Sequence, residues 1–392
     1  MTKRENFYDF IIAGAGCSGL SLLWHLIHSS LKNKKILVID SRLSNPEDKI
    51  WSYWGQDEHP FQHLNIKNWN WLKVSALGEP FLKELHQYRY HSIRSRDYHD
   101  FILRDIESNK NVTLLEAEIF DIMNDDSTGI IKSSKGTFQS PYIFQSIRMP
   151  EESKNKAHFS VRQHFVGWEI ETKYPVFDPF TVTLMDFRPI YSDAVCFFYI
   201  LPFTNKKALV EYTLFSTKLL SYNKYTDALQ KYIRYDLNLQ QTDYRIVREE
   251  KGNIPMEDRY YPWRTGNYIY NLGSVGGLTK PTTGYTFKQI QKFVPKLVRL
   301  LEKNDLKIIS GITNQSPKQY LLFDRLFLNI LQHEPDIAVR VFHDLFKNNP
   351  FDRVLAFLCD ETNWRENLQI MWSVPMLPFL KSLWETKSIL LK

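Results

Sequence analysis

Apolar positions along the chain change period repeatedly, and each change marks an element. Tyr8–Ala13 (YDFIIA) is a short continuous apolar run of strand character, after which Leu20, Leu23, Trp24, Ile27 and Leu31 recur at helical spacing. Lys35–Asp40 (KILVID) is again almost continuously apolar, as expected for a strand of a parallel sheet covered on both faces. Ser95–Ile106 is predicted helical, with Ser95 as its N-cap and Phe101, Ile102 and Ile106 on one face. Strand-like pieces follow around Val112–Ile119, Gly129–Ser133 and Gly136–Gln145. Ser160–Phe215, dense in Val, Tyr, Phe and Thr, predicts several antiparallel strands, and Tyr225–Leu237 a helix. A strand over Tyr268–Gly273 leads into a glycine-rich turn and a helix through Ile290, Phe293, Leu297 and Leu301. Pro281 is expected near that helix's start, Thr282 or Thr283 as its cap, and Pro295 as a kink or break.

Between the first predicted strand and helix stands Gly14-Ala15-Gly16-Cys17-Ser18-Gly19, which is G-x-G-x-x-G. Gly14 permits the tight turn, Gly16 lets backbone approach a pyrophosphate, and Gly19 lets helix and strand pack closely. The helix N-terminus offers unpaired N–H groups to phosphates. Asp40 ends the second strand and is placed to accept from a ribose hydroxyl. Strand, loop, helix, strand and terminal acid in this order predict a dinucleotide site. NAD and FAD both use such a unit, so the motif names no reaction.

Composition narrows the class. The 392 residues carry 50 Lys and Arg against 44 Asp and Glu, a net +6 dispersed along the chain, which argues against nucleic-acid binding. Three separated cysteines exclude a disulfide framework and suit a reducing cytosol. Aromatic residues reach 15%, enough to build bulky apolar walls. Phe10–Leu31 lacks Asp, Glu, Lys and Arg, but its three glycines, two histidines and the preceding Glu5 and Asp9 oppose a signal anchor or a span. The tail Met371–Lys392 is apolar but interrupted by Pro375, Pro378, Lys381, Glu385 and Lys387, and is read as a helix packed on the body or resting in a membrane interface.

Several blocks in order resemble the flavoprotein lycopene beta-cyclases of bacteria. They are YDFIIAGAGCSGLSLLWHL, WSYW (Trp51–Trp54), YRYHSIRSRDYHDFIL (Tyr88–Leu103), LVEYT (Leu209–Thr213), GNIPM (Gly252–Met256) and GSVGGLTKPTTGYTF (Gly273–Phe287), with FDR (Phe323–Arg325) a weaker match. The resemblance implies an α/β fold: an FAD-binding, Rossmann-like domain of the p-hydroxybenzoate-hydroxylase type, interleaved with a β-rich substrate domain and a helical C-terminal region. Expected boundaries are 1–60, 95–150 and 251–315 for FAD, 61–94 and 151–250 for substrate, and 316–392 for the helices. It also implies reduced FAD, NAD(P)H as electron source, no metal, lycopene and related carotenoids as substrates, and cytoplasmic location with peripheral membrane contact. Redox-neutral closure of the ψ ends into β-ionone rings is the implied reaction; an FAD-dependent monooxygenase or reductase acting on an apolar isoprenoid is the alternative. Cofactor contacts are expected from Gly14, Ala15, Gly16, Gly19, Asp40, Arg96, Gly273, Gly276, Gly277, Pro281, Thr283 and Gly284.

The family's F-L-E-E-T motif holds an essential Glu, and its first Glu aligns with Glu211; Tyr212 replaces the second. Two other departures are Gln145-Ser146-Ile147-Arg148 in place of D-S-R, and Ser274 where related flavoproteins place an Asp. The assigned role suits Glu211. Protonating an alkene, a very weak base, needs a carboxylic acid kept neutral by burial. In a strand, Leu209, Glu211, Thr213 and Phe215 share one face, so Glu211 would project from apolar surface. Trp51, Tyr53 and Trp54 are candidate aromatic walls for a carbocation. Backbone N–H groups at Thr282–Gly284 are expected to open a helix beside the flavin.

Overall fold

A computed structural model describes residues 6–56, 59–147, 156–188, 194–304 and 316–390; Glu5 and Arg148 fall outside them. A five-stranded parallel sheet carries the N-terminal motif. Its strand order is Ile269–Asn271, Ile143–Gln145, Phe10–Ala13, Ile36–Asp40, Val112–Glu116. Ile11, Ile12, Ala13, Leu37, Val38 and Ile39 have no exposed surface, which explains why these strands read as unbroken apolar runs. One face is covered by the helices Cys17–Ile27, Ser95–Ile106 and Phe287–Glu302. The other is covered by the meander Ile119–Asn124, Gly129–Ser133, Gly136–Ser140.

A seven-stranded sheet forms the second layer system. Its order is Tyr244–Glu257, Ser160–Thr172, Lys207–Ser216, Val195–Pro202, Thr181–Asp186, Trp71–Ala76, Glu79–Glu84, antiparallel except between Thr181–Asp186 and Trp71–Ala76. Strand alternation assigns its faces. Val166, Trp168, Val210, Tyr212 and Leu214 pack against the helix Tyr222–Tyr235, while Leu209 and Phe215 point the other way, toward the C-terminal helices. A small sheet, Ile50–Gly55, Arg89–Arg94, Asn65–Trp69, joins the two systems.

The C-terminal region is helical: Lys318–His333, Pro335–Asn348, Phe351–Phe357, Trp364–Ser373 and Met376–Leu390. No helix among the described residues is long and apolar enough to cross a membrane.

Local differences from the sequence reading have identifiable causes. Ser95 is the first helical residue rather than the cap. Its hydroxyl donates to the Glu47 carbonyl at 2.9 Å and accepts from Lys49 N at 2.7 Å, which ties the helix start to the neighbouring strand. Gly136–Gln145 divides into strands of two different sheets, with Pro141 between them, because proline cannot donate to a ladder. The helix after the second glycine turn begins at Phe287, so neither Thr282 nor Thr283 caps it. Thr283 N and Gly284 N instead both donate to the Lys280 carbonyl, closing a turn. Pro295 lies inside one continuous helix.

Candidate functional site

Helix Cys17–Ile27 starts directly at the glycine loop. Gly14 has φ 106°, a conformation that penalises any Cβ, and a Cβ on Gly19 would stand 1.9 Å from the Gly14 carbonyl oxygen. Gly19 is therefore a packing glycine. Gly16 differs: nothing lies within 4 Å of where its Cβ would be, and it borders a cavity between the two glycine turns and the large sheet. Open space at this position is what a bound pyrophosphate needs. Asp40 closes the motif from behind, its Oδ2 accepting from Ala15 N at 2.7 Å and its Oδ1 from Arg42 N at 2.8 Å.

The second glycine turn faces the first. Gly273 (φ 60°) sits where a Cβ would meet Ser18 Oγ at 2.8 Å, and Gly284 (φ 72°) where a Cβ would meet Gln163 Oε1 at 2.5 Å. Gly273, Ser274, Thr283 and Gly284 line the same cavity as Gly16, Cys17 and Ser18. Gly276, Gly277 and Pro281 do not; Gly277 (φ 79°) ends the short turn Gly273–Gly276. Arg96 is exposed on its helix, 3.4 Å from the Pro46 carbonyl and off the cavity wall. Gln145, at the departure from D-S-R, donates to Asn271 Oδ1 at 2.6 Å, joining two strand ends.

The cavity measures about 490 Å³ and continues from these glycine turns to the inner face of the large sheet. Glu211 lies on its wall and is 6% exposed. Phe165, Leu184, Met185, Phe197, Phe215 and Phe342 are among its apolar neighbours there. The carboxyl accepts from Thr213 Oγ1 at 2.6 Å and makes no ion pair among the described residues. Burial pushes its pKa up to about 8, repulsion from Glu250 adds to the rise, and the Thr213 hydroxyl opposes it. Tyr212 faces the opposite side of the sheet and stacks on Phe198 at 4.9 Å, so it cannot substitute for a second carboxylate here.

Sequence reading overlooked four further groups at this site. Glu250, 6% exposed, also lines the cavity; its Oε2 accepts from Arg248 Nη1 at 2.7 Å and Ile50 N at 3.1 Å. Burial raises its pKa and Arg248 opposes the rise. Tyr199 and Tyr285 line the cavity with their hydroxyls each 2.7 Å from that of Tyr90. Lys280 is fully enclosed, 2.7 Å from Asp324 Oδ2 and 2.7 Å from Asp360 Oδ1; Asp324 is the acid of the FDR block. The short spacing R-E-E around Glu250 was visible in sequence, but which of the two acids faces inward is settled by strand register alone. Of the aromatic candidates, Trp51 and Trp54 border the cavity, whereas Tyr53 turns away and stacks on His91 at 4.9 Å.

No group of three or more His, Cys, Asp or Glu that would hold a metal occurs among the described residues. The sequence profile described as lycopene cyclase protein matches residues 9–384. The chain belongs to the lycopene cyclase family. No curated protein matches it. Solved structures show the same fold at low identity. A geranylgeranyl bacteriochlorophyll reductase-like protein from Thermoplasma acidophilum aligns with TM-score 0.59 at 11% identity, covering 98% of this chain and 99% of that one. The p-nitrophenol 4-monooxygenase PnpA from Pseudomonas putida DLL-E4 aligns with TM-score 0.60 at 10% identity, covering 95% and 98%. A mutant of the halogenase PltM in complex with FAD aligns with TM-score 0.60 at 13% identity, covering 90% and 82%. A lycopene cyclase family member on this fold combines a βαβ nucleotide unit with a sheet-built apolar cavity.

Proposed function

We propose that this lycopene cyclase family member is an FAD-dependent lycopene beta-cyclase. It would convert the acyclic ψ ends of lycopene to β-ionone rings by acid-catalysed, redox-neutral isomerisation. The observation that carries the reading is Glu211: a carboxyl without a cationic partner among the described residues, buried on an apolar wall of the cavity that begins at the glycine loops.

The residues present fit FAD. Gly16 leaves room for a pyrophosphate, the helix from Cys17 directs N–H groups at it, and Gly273, Ser274, Thr283 and Gly284 line the continuing space. When bound, reduced FAD supplies electron-rich charge that favours a carbocation nearby; NAD(P)H is the electron source in this reading. The chain's own residues supply the rest. Glu211 holds a proton at neutral pH and gives it to a terminal alkene carbon. Phe and Trp faces on the walls exclude water and attract the cation, at about 2 kcal/mol each when desolvated. The Cys17 thiol on the cavity wall does not compete for it as a thiolate, since burial raises its pKa far above neutrality.

Peripheral membrane contact is part of the same proposal, and the last helix supports it by being inside out. Ser382 and Thr386 of Met376–Leu390 are buried, Ser382 accepting from Asn329 Nδ2 at 3.0 Å. Leu377, Leu380 and Trp384 are exposed, Leu377 by 79% and Trp384 by 76%, and Trp372 on the preceding helix by 79%. Lys387 stands over the Trp384 ring at 5.5 Å and Arg365 over Trp364 at 5.2 Å, the pairing of aromatic and basic groups found at lipid headgroups.

Expression in a lycopene-accumulating bacterium, with chromatography of the pigments, tests the function. Bicyclic or monocyclic β-ring carotenoid supports it, and unchanged lycopene defeats it. A monooxygenase or reductase, the alternative kept open by the fold neighbours, would consume NAD(P)H with every turnover. A cyclase needs reductant only to prime its cofactor.

A further inference from the structure

Strand register places three cavity residues, Tyr199, Glu211 and Glu250, in a single row across the large sheet, with Gly167 between the two acids. Tyr199 pairs with Glu211, Glu211 with Gly167, and Gly167 with Glu250. Cross-strand partners share a face, so the side chains of Glu211 and Glu250 rise on the same side of the sheet, two strand spacings apart, about 9.5 Å between Cα atoms. The residue between them has no side chain. A Cβ on Gly167 would lie 3.0 Å from Leu209 Cδ1 and 3.4 Å from both Cβ and Cγ of Glu211. Leu209 and Glu211 thus pack over the glycine that separates the two acids, and both acids line the cavity.

Their partners differ in kind. Glu211 is buried and meets a hydroxyl but no cation among the described residues, and that burial suits the neutral acid. Glu250 meets a guanidinium and a backbone N–H, both on Oε2, which suit a carboxylate. Arg248 is itself held by Glu169 at 2.8 Å, which fixes the guanidinium in place. Two acids in unlike environments on one wall is the arrangement of an acid and a base.

We propose that Glu250 is the proton acceptor that ends ring closure, opposite Glu211 as donor; the assignment rests on the cyclase reading above. Glu211 gives its proton to the terminal alkene carbon and becomes a carboxylate. The neighbouring C=C supplies the electron pair that closes the ring on the tertiary cation. The C–H beside the resulting ring cation then breaks, its electrons forming the ring double bond and its proton passing to Glu250. One proton enters and one leaves, so the product is an isomer. Return of the proton from Glu250 to Glu211 resets the site. The position of Glu250 decides which ring C–H is within reach, and hence which ring isomer forms.

The test compares wild type, E250Q and E250D on lycopene, with bound flavin absorbance reporting an intact site and chromatography separating ring isomers. E250Q is expected to keep its flavin, to turn over at least about 100-fold more slowly, and to give displaced double bonds or water-quenched rings. Turnover within threefold of wild type with the same single isomer overturns the assignment. Should E250Q lose its flavin, E250D decides: its carboxylate is drawn back by one methylene while the charge on Arg248 stays answered. Slowing of at least about tenfold with mixed isomers supports the assignment, and wild-type rate and isomer overturn it. If the wild type forms no ring product, the functional reading falls and takes this one with it; if wild type and E250Q cyclise alike, only Glu250 is removed.

Discussion

Lys280 Nζ lies 2.7 Å from Asp324 Oδ2, and through this pair the K-P-T-T-G turn beside the cavity is fastened to the first C-terminal helix. Asp360 completes the triad at 2.7 Å, and Thr282 Oγ1 donates to Asp324 Oδ1 at 2.7 Å. Burial disfavours the ammonium, but the two carboxylates outweigh it and keep Lys280 charged. Lys280→Met would leave two buried carboxylates facing each other. A loss of about 3–5 kcal/mol is expected, measured by denaturant unfolding; a loss under 1 kcal/mol would show that the turn is held by other contacts.

Glu211 predicts a pH dependence of activity. The protonated form is the donor, so cyclisation should persist below about 8 and fall as pH rises through it. Stability follows the same sign: the folded pKa is above the ordinary 4.5, so the contribution is complete below 4.5 and is lost as pH rises toward 8. Glu211→Gln should flatten that slope, keep flavin and abolish cyclisation. Turnover of the variant near wild type would take Glu211 out of the chemistry.

Thr213→Val removes the one donor that opposes the rise in the Glu211 pKa. The alkaline limit of activity should move upward, with about 1 kcal/mol lost in stability. A limit that stays put or moves down would contradict this account of the carboxyl's surroundings.

Gly16→Val and Gly19→Val should separate cofactor space from packing. At Gly16 the added Cβ meets no protein atom within 4 Å, so the apo thermal midpoint should hold while flavin retention falls at least about tenfold. At Gly19 the Cβ strikes the Gly14 carbonyl, so stability and flavin retention should fall together. Equal flavin content in Gly16→Val and wild type would displace the pyrophosphate from this loop.

Trp372→Ser with Trp384→Ser should reduce flotation with anionic lipid vesicles by at least about tenfold without changing the thermal midpoint, because both rings are more than three-quarters exposed. Unchanged flotation would place the membrane contact elsewhere.

Much of the nucleotide unit was legible in sequence because its determinants are local. Continuous apolar runs, glycines at turn positions and the helical period of Leu20 to Leu31 involve neighbours within a few residues. Glu211 was legible through the resemblance of LVEYT to the family's motif, with apolar residues flanking it in sequence. The start of the helix at Phe287 was not. Thr282 and Thr283 resemble caps, but Thr282 is drawn to Asp324, 42 residues away. Arg96 lies in a block resembling the family yet projects outward, since helix phase is set by packing of Tyr98 and Ile102 against the core.

By itself the sequence determined the βαβ unit, the antiparallel character of the middle of the chain and an acid set among apolar residues, all products of short-range periodicity. Tertiary structure alone decided that Glu250 faces Glu211 across Gly167, since a one-residue slip in register would turn either acid to the far side of the sheet. It likewise decided that the last helix turns its serine and threonine inward and its tryptophan outward. Amphipathicity tells which residues are alike, and only packing against the neighbouring helix tells which side is in.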